Sequence, residues 1–178
     1  MTVWILIILV GILIITFSVI INKKQDMREA ENKYKISFKE TLDLTGLPLI
    51  TFATKDKQKL NFLLDTGSNV SYINNDALIG IEYTKVDKGE DMQDTCFGID
   101  GNTFSNEPVI LDLYYKDLIF TDIFNAMDMS KSLNRLKQDT GATVHGILGC
   151  EFFSKYKYIL DFKDFVAYSN DLKNAMNK

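Results

Sequence analysis

From Leu47 onward the chain is built of short runs in which apolar and polar residues alternate. Leu47–Ala53 (LPLITFA) and Lys59–Leu64 (KLNFLL) flank the polar TKDKQ, which is the pattern of a β-hairpin. Val70–Ile73 (VSYI) reads as a further strand, and the NNDAL after it offers an asparagine cap and one helical turn. Thr95–Phe104 (TCFGIDGNTF) sets Asp-Gly between apolar residues, a strong hairpin-tip signal. PVILDLYY and DLIFTDIF alternate with period two around Lys116–Asp117 and pair as another hairpin. Ser130–Gln138 reads as a surface helix ending in the loop DTGATVHG. An apolar strand, a glycine, a short helix near Glu151–Tyr156 and two closing strands, YILDF and FVAYS, complete the pattern. The expected fold class is mostly β with short helices, and there is no internal repeat.

The start of the chain follows a different rule. Val3–Ile21 carries no charge and is nearly all aliphatic, long enough to cross a bilayer as a helix. Trp4 stands at its outer end, where an indole suits the membrane–water interface. A cleaved signal peptide fits less well, because no Lys or Arg precedes the run and no small-x-small site follows it. An amphipathic stripe, which a core helix would show, is absent. A retained anchor over residues 1–22 is expected, then a polar linker over 23–40 and a single folded domain over 41–178. Lys23, Lys24 and Arg28 follow the run closely, which by the basic-loop rule keeps the domain on the cytoplasmic side. Cys96 and Cys150 are compatible with a reducing compartment.

Composition narrows the function by exclusion. The 178 residues carry a net charge of −4 with both signs mixed along the chain, and no basic stripe points to nucleic acid. No glycine-rich phosphate loop is present, so no nucleotide is expected. One histidine and two separated cysteines lack the paired spacing of a zinc site, so no metal or other cofactor is expected.

The chemistry concentrates in Asn61–Ile73, NFLLDTGSNVSYI. A carboxylate between two apolar runs is costly to bury unless it is hydrogen-bonded or has a task. Leu63-Leu64-Asp65-Thr66-Gly67-Ser68 resembles the active-site loop of the aspartic proteases. Ile147-Leu148-Gly149, followed by a helix, resembles the second signature of that group, the glycine-bearing strand passing beneath the catalytic loop. One such loop in a single domain resembles the single-lobe retropepsin-like family, specifically its bacterial-type, membrane-anchored members, over about Leu47 to Ser169. The resemblance implies an acid-protease half-barrel and an aspartic endopeptidase acting on a polypeptide substrate. It also implies a homodimer, because the chemistry needs two carboxylates and each chain supplies one. Two carboxylates about 3 Å apart cannot both ionise, so such a pair shares one proton and holds a water for attack on the peptide carbonyl.

Under the resemblance Asp65 is catalytic and Thr66 locks the two loops together. Gly67 presents its N–H to the carboxylate. Ser68, Ile147, Leu148 and Gly149 support the loop. Retroviral members usually carry Ala at the Ser68 position and pepsin-like enzymes Ser, and a serine hydroxyl donating to the carboxylate would favour its ionised form. The hairpin carrying Phe97, Gly98, Ile99, Asp100 and Gly101 is the implied flap over substrate, with Phe97 and Ile99 lining the pocket. Asp100 departs from the apolar or glycine tip of the retroviral enzymes and reads more simply as a turn former.

Plainer readings stand beside these. Asp65 could be a structural turn residue bonding its own backbone. Asp139-Thr140-Gly141 repeats the triplet without an apolar lead-in and reads as a turn. His145 and Cys150 could suggest a thiol-protease pair, but Cys150 is better read as a small buried packing residue. The closing strands are candidates for the dimer contact. The apolar run carries one glycine and no small-xxx-small pair, so it adds little to dimerisation. The rival from another class is a non-catalytic relative, a dimerising or peptide-binding module that kept the fold.

Overall fold

The computed structural model describes residues 16–21, 35–87, 95–97 and 103–169. The chain divides into two compact units, Met1–Lys35 and Ile36–Lys178. In the first, residues 16–21 are helical, with Phe17, Val19, Ile20 and Ile21 exposed. Among the described residues no helix is long and apolar enough to cross a membrane. The expected anchor over residues 1–22, Trp4 included, and the basic residues after it lie almost entirely outside the described residues.

The second unit is mostly β with short helices. Its strands are β1 (Lys35–Ser37), β2 (Leu49–Ala53), β3 (Lys59–Leu64), β4 (Tyr72–Asn74), β5 (Thr84–Lys85), β6 (Thr95–Phe97) and β7 (Thr103–Ser105). They continue as β8 (Glu107–Tyr115), β9 (Leu118–Met127), β10 (Gly146–Leu148), β11 (Ile159–Asp161) and β12 (Val166–Tyr168). The helices are α1 (Lys39–Thr45), α2 (Ser130–Thr140) and α3 (Cys150–Tyr156), with a 3-10 turn over Asn75–Leu78.

The main sheet runs β2-β3-β10-β4-β9-β8-β5, and a pairing of Ala53 with Tyr114 joins β2 to β8, closing it into a barrel. Closure through Ala53 and Tyr114 covers part of the β2 edge that would otherwise be unpaired, while β5 remains paired on one side only. Along β3, Leu60, Phe62 and Leu64 point into the barrel while Asn61 and Leu63 face outward, as strand alternation requires. Phe52, Phe62, Phe120, Phe124 and Phe152 form the aromatic heart, with ring centroids 5.4–6.3 Å apart in mostly edge-on or tilted pairs. Outside the barrel, Leu133 and Leu136 of α2 pack on Leu49, Ala142 and Val144 with Leu63 beside them.

Three local departures from the sequence-based expectation have physical reasons. The linker expected to run to residue 40 gives way earlier, since the compact unit begins at Ile36. Ile36 and Phe38 are 2% and 0% exposed, and β1 joins β12 and β11 in a separate three-stranded sheet. β12 is thus paired on both sides within its own chain, by β1 and β11. The helix expected to end at Gln138 continues to Thr140, and Gly141 (φ 77°) supplies the left-handed cap. The second Asp-Thr-Gly is therefore the end of a helix rather than a free loop. Asn74 takes the cap position of the 3-10 turn but makes no side-chain cap bond there; its Oδ1 accepts the Met129 N–H at 2.8 Å, holding the start of α2.

Candidate active site

β3 carries its apolar side chains to Leu64 and then delivers Asp65 into a tight turn. The Ser68 N–H donates to the Asp65 carbonyl at 3.2 Å, and the Gly67 N–H donates to Asp65 Oδ1 at 2.8 Å. The carboxylate is partly buried and aimed by its own loop, while Thr66 and Gly67 are exposed on the outer side of the turn. At Gly67 the constraint is space beside the carboxylate rather than backbone freedom. A Cβ there would stand 3.1 Å from Asp65 Oδ1, tighter than side chains normally approach.

β10 lies in the slot between β3 and β4, parallel to the first and antiparallel to the second. Its register sets Gly146 beside Phe62, Ile147 beside Leu63 and Leu148 beside Leu64, and the Asp65 N–H continues the ladder to the Leu148 carbonyl at 3.0 Å. Gly149 then passes directly beneath the turn. A Cβ on it would collide with the Val70 carbonyl, with Val70 C at 2.6 Å and Ser68 O at 2.9 Å. Its N–H donates to Ser71 Oγ at 3.2 Å, the Cys150 N–H to Ser68 O at 2.8 Å and the Glu151 N–H to Asn69 O at 3.0 Å. Consecutive amides thus clamp the backbone that follows Asp65. Main-chain atoms and the Ser71 hydroxyl together hold the carboxylate's loop in place.

Ser68 differs from expectation. Its hydroxyl donates to the Val70 carbonyl at 2.8 Å, so that donor is engaged away from the carboxylate. Cys150 is exposed rather than buried, and its thiol donates to the Thr66 carbonyl at 3.1 Å. His145 is bonded to Asn61 on β3 and Cys150 to Thr66 in the turn that follows it, so the two side chains have separate partners. Ser71, 2% exposed, is a support residue that sequence reasoning did not single out; its small hydroxyl just before β4 was the available signal. Where a flap hairpin was expected, β6 and β7 pair antiparallel, Thr95 with Ser105 and Phe97 with Thr103. Gly98, Ile99, Asp100 and Gly101 at its tip lie outside the described residues. Among the described residues, no cluster of three or more His, Cys, Asp or Glu could hold a metal ion.

No family model and no curated protein matches the chain. Among solved structures it is similar to the EIAV protease complexed with the inhibitor HBY-793, at 15% identity over 65% of this chain and 93% of that one, with a TM-score of 0.47. It is also similar to the retroviral protease-like domain of Ddi1 from Leishmania major, at 9% identity over 71% of this chain and 92% of that one, with a TM-score of 0.40. At these identities and scores the likeness adds no weight to the geometry of the Asp65 loop.

Proposed function

We propose that the chain is a membrane-anchored aspartic endopeptidase, active as a homodimer in which each subunit contributes one Asp65 loop. The observation that carries this reading is the pairing of Asp65, fixed by the Gly67 N–H, with the glycine-bearing strand β10 crossing beneath it. A turn residue serving structure alone has no need of a separate strand clamped under its backbone.

In the dimer the two Asp65 loops meet on the two-fold axis. A water held between the carboxyls loses its proton to one while the other donates to the carbonyl oxygen of the scissile peptide. Thr66, exposed beside Asp65, locks the two loops together through its hydroxyl in this reading. The β6–β7 hairpin closes over an extended peptide held by main-chain hydrogen bonds, with Phe97 and Ile99 against apolar side chains. The run Val3–Ile21 anchors both subunits, with the catalytic units on the cytoplasmic side, and shared tethering raises their effective concentration.

The test is the full chain in detergent micelles, incubated with a broad peptide library over a pH series. Asp65→Asn is expected to lower cleavage by about 10²–10⁴-fold, the range for losing general acid–base catalysis, with the fold intact. Equal cleavage by both proteins would end the enzyme reading. A folded wild-type dimer that binds peptides without cutting them would transfer support to the binding-module alternative.

A further inference from the structure

His145 lies one residue before β10, where the chain enters the slot beneath the Asp65 loop. Its backbone N–H donates to Asn61 O at 2.8 Å, and its carbonyl accepts the Asn74 N–H at 2.9 Å, so it joins β3 and β4 on either side. Its ring makes the unusual contact: the Asn61 backbone N–H donates to His145 Nδ1 at 2.9 Å. The imidazole thus stands where a strand carbonyl would complete the ladder. Asn61 is committed in every direction, its Nδ2 donating to Thr143 O at 2.8 Å and its Oδ1 accepting the Thr51 hydroxyl at 2.8 Å.

We propose that His145 is a pH-responsive clasp, holding β10 under the Asp65 loop while the ring is neutral and releasing that hold when the ring is protonated. A protonated ring donates from both nitrogens, so Nδ1–H would face the Asn61 N–H and the bond would be lost. Burial pushes the imidazole below its ordinary value of 6.5, and the positive charge of Lys137 on α2 acts in the same sense. Backbone contact favours a charged ring when a carbonyl faces it. Here the group facing Nδ1 is the Asn61 N–H, which only an unprotonated nitrogen accepts. Asp76, on the 3-10 turn, shares with Lys137 and His145 the lining of a cavity of about 250 Å³, and it accepts the Ser130 hydroxyl at 3.1 Å. Asn61 on β3 and Asn74 on β4 bring no charge.

Because the folded ring is the weaker base, the unfolded chain takes up the proton first. The clasp's contribution to stability is complete above about pH 6.5 and is lost as pH falls below that value toward the depressed folded value. The consequence reaches the active loop, since β10 leads within a few residues to the Gly149 crossing and the Asp65 N–H bond to Leu148. The inference does not depend on peptide cleavage.

As the chain's sole histidine, His145 can be followed without ambiguity in the full-length protein in micelles by nitrogen-15 NMR. At pH 7.5 the ring is expected as the Nε2–H tautomer. It should titrate below 6.5, with Asn61 amide protection, corrected for intrinsic exchange, falling on the order of tenfold over the same range. His145→Asn keeps an acceptor near the Nδ1 position without a titrating group and should make that protection independent of pH. An Nδ1–H tautomer, a midpoint at or above 6.5, or the same pH dependence in His145→Asn would overturn the proposal. Should His145→Asn not fold, the wild-type tautomer and midpoint still decide it.

Discussion

Gly149→Ala probes the crossing beneath the Asp65 loop more sharply than any change in the loop itself. Gly149 has φ −93° and ψ −178°, an extended conformation open to any residue, so alanine meets no backbone penalty there. The cost is collision. The new methyl would overlap the Val70 carbonyl, with Val70 C at 2.6 Å and Ser68 O at 2.9 Å, and these are backbone atoms of the turn that cannot swing aside. Forcing one carbon into such a contact costs about 1–3 kcal/mol. Separating the two backbones also weakens the bonds from the Gly149, Cys150 and Glu151 amides, each worth about 1 kcal/mol. Together these give about 3–5 kcal/mol, a large part of the roughly 5–15 kcal/mol that holds a domain folded. The assay is thermal and urea unfolding of the full chain in micelles, with a Tm loss of roughly 10 °C expected. Gly141→Ala is the comparison, with open space around it but φ 77°, so it should cost only the left-handed penalty of about 1–2 kcal/mol. If Gly149→Ala proves no more damaging than Gly141→Ala, the strand does not pass where it is placed and the reasoning fails.

Gly67→Ala should do the reverse, changing stability by less than about 1 kcal/mol while lowering kcat by about 10²-fold. Its Cβ, 3.1 Å from Asp65 Oδ1, displaces the carboxylate from the Gly67 N–H. Unaltered kcat would show that the carboxylate's aim is unimportant. Ser68→Ala should leave the pH–rate profile in place and cost about 1 kcal/mol of stability, because its hydroxyl serves the Val70 carbonyl; a moved profile would place that hydroxyl on the carboxylate instead. Tyr158→Phe should leave the unfolding free energy from urea titration unchanged or raise it by about 1 kcal/mol, since the buried Tyr158 hydroxyl has no partner among the described residues. A clear loss would reveal a partner for that oxygen.

The Asp65 loop was legible because its signals are local. A period-two strand runs into Asp-Thr-Gly, and a second apolar segment ends in a glycine before a helix. The β8–β9 hairpin was equally readable from alternation, with Lys116 at φ 53° taking the tip. Elements whose reason is distant were harder. β1 is three residues long, and its partner β12 lies near the far end of the chain, so nothing nearby marks Lys35–Ser37 as a strand. The bonding of Phe38 N–H to Phe165 O, and the Phe38–Phe162 ring contact at 5.4 Å, exist only once the ends meet. Gly141 after Lys137 carried a readable helix-stop signal, yet the repeated Asp-Thr-Gly drew the boundary forward. The Ser68 hydroxyl direction and the engagement of Cys150 with Thr66 depend on side-chain rotation, which no residue pattern specifies.

The most direct measurement is the binding stoichiometry of a statine-type inhibitor to the full chain in micelles, by titration calorimetry on protein of known concentration. A catalytic centre assembled from two Asp65 loops takes one inhibitor per two chains, and Asp65→Asn removes the binding. Saturation at one inhibitor per chain, or binding that survives Asp65→Asn, would contradict a site shared across the two-fold axis.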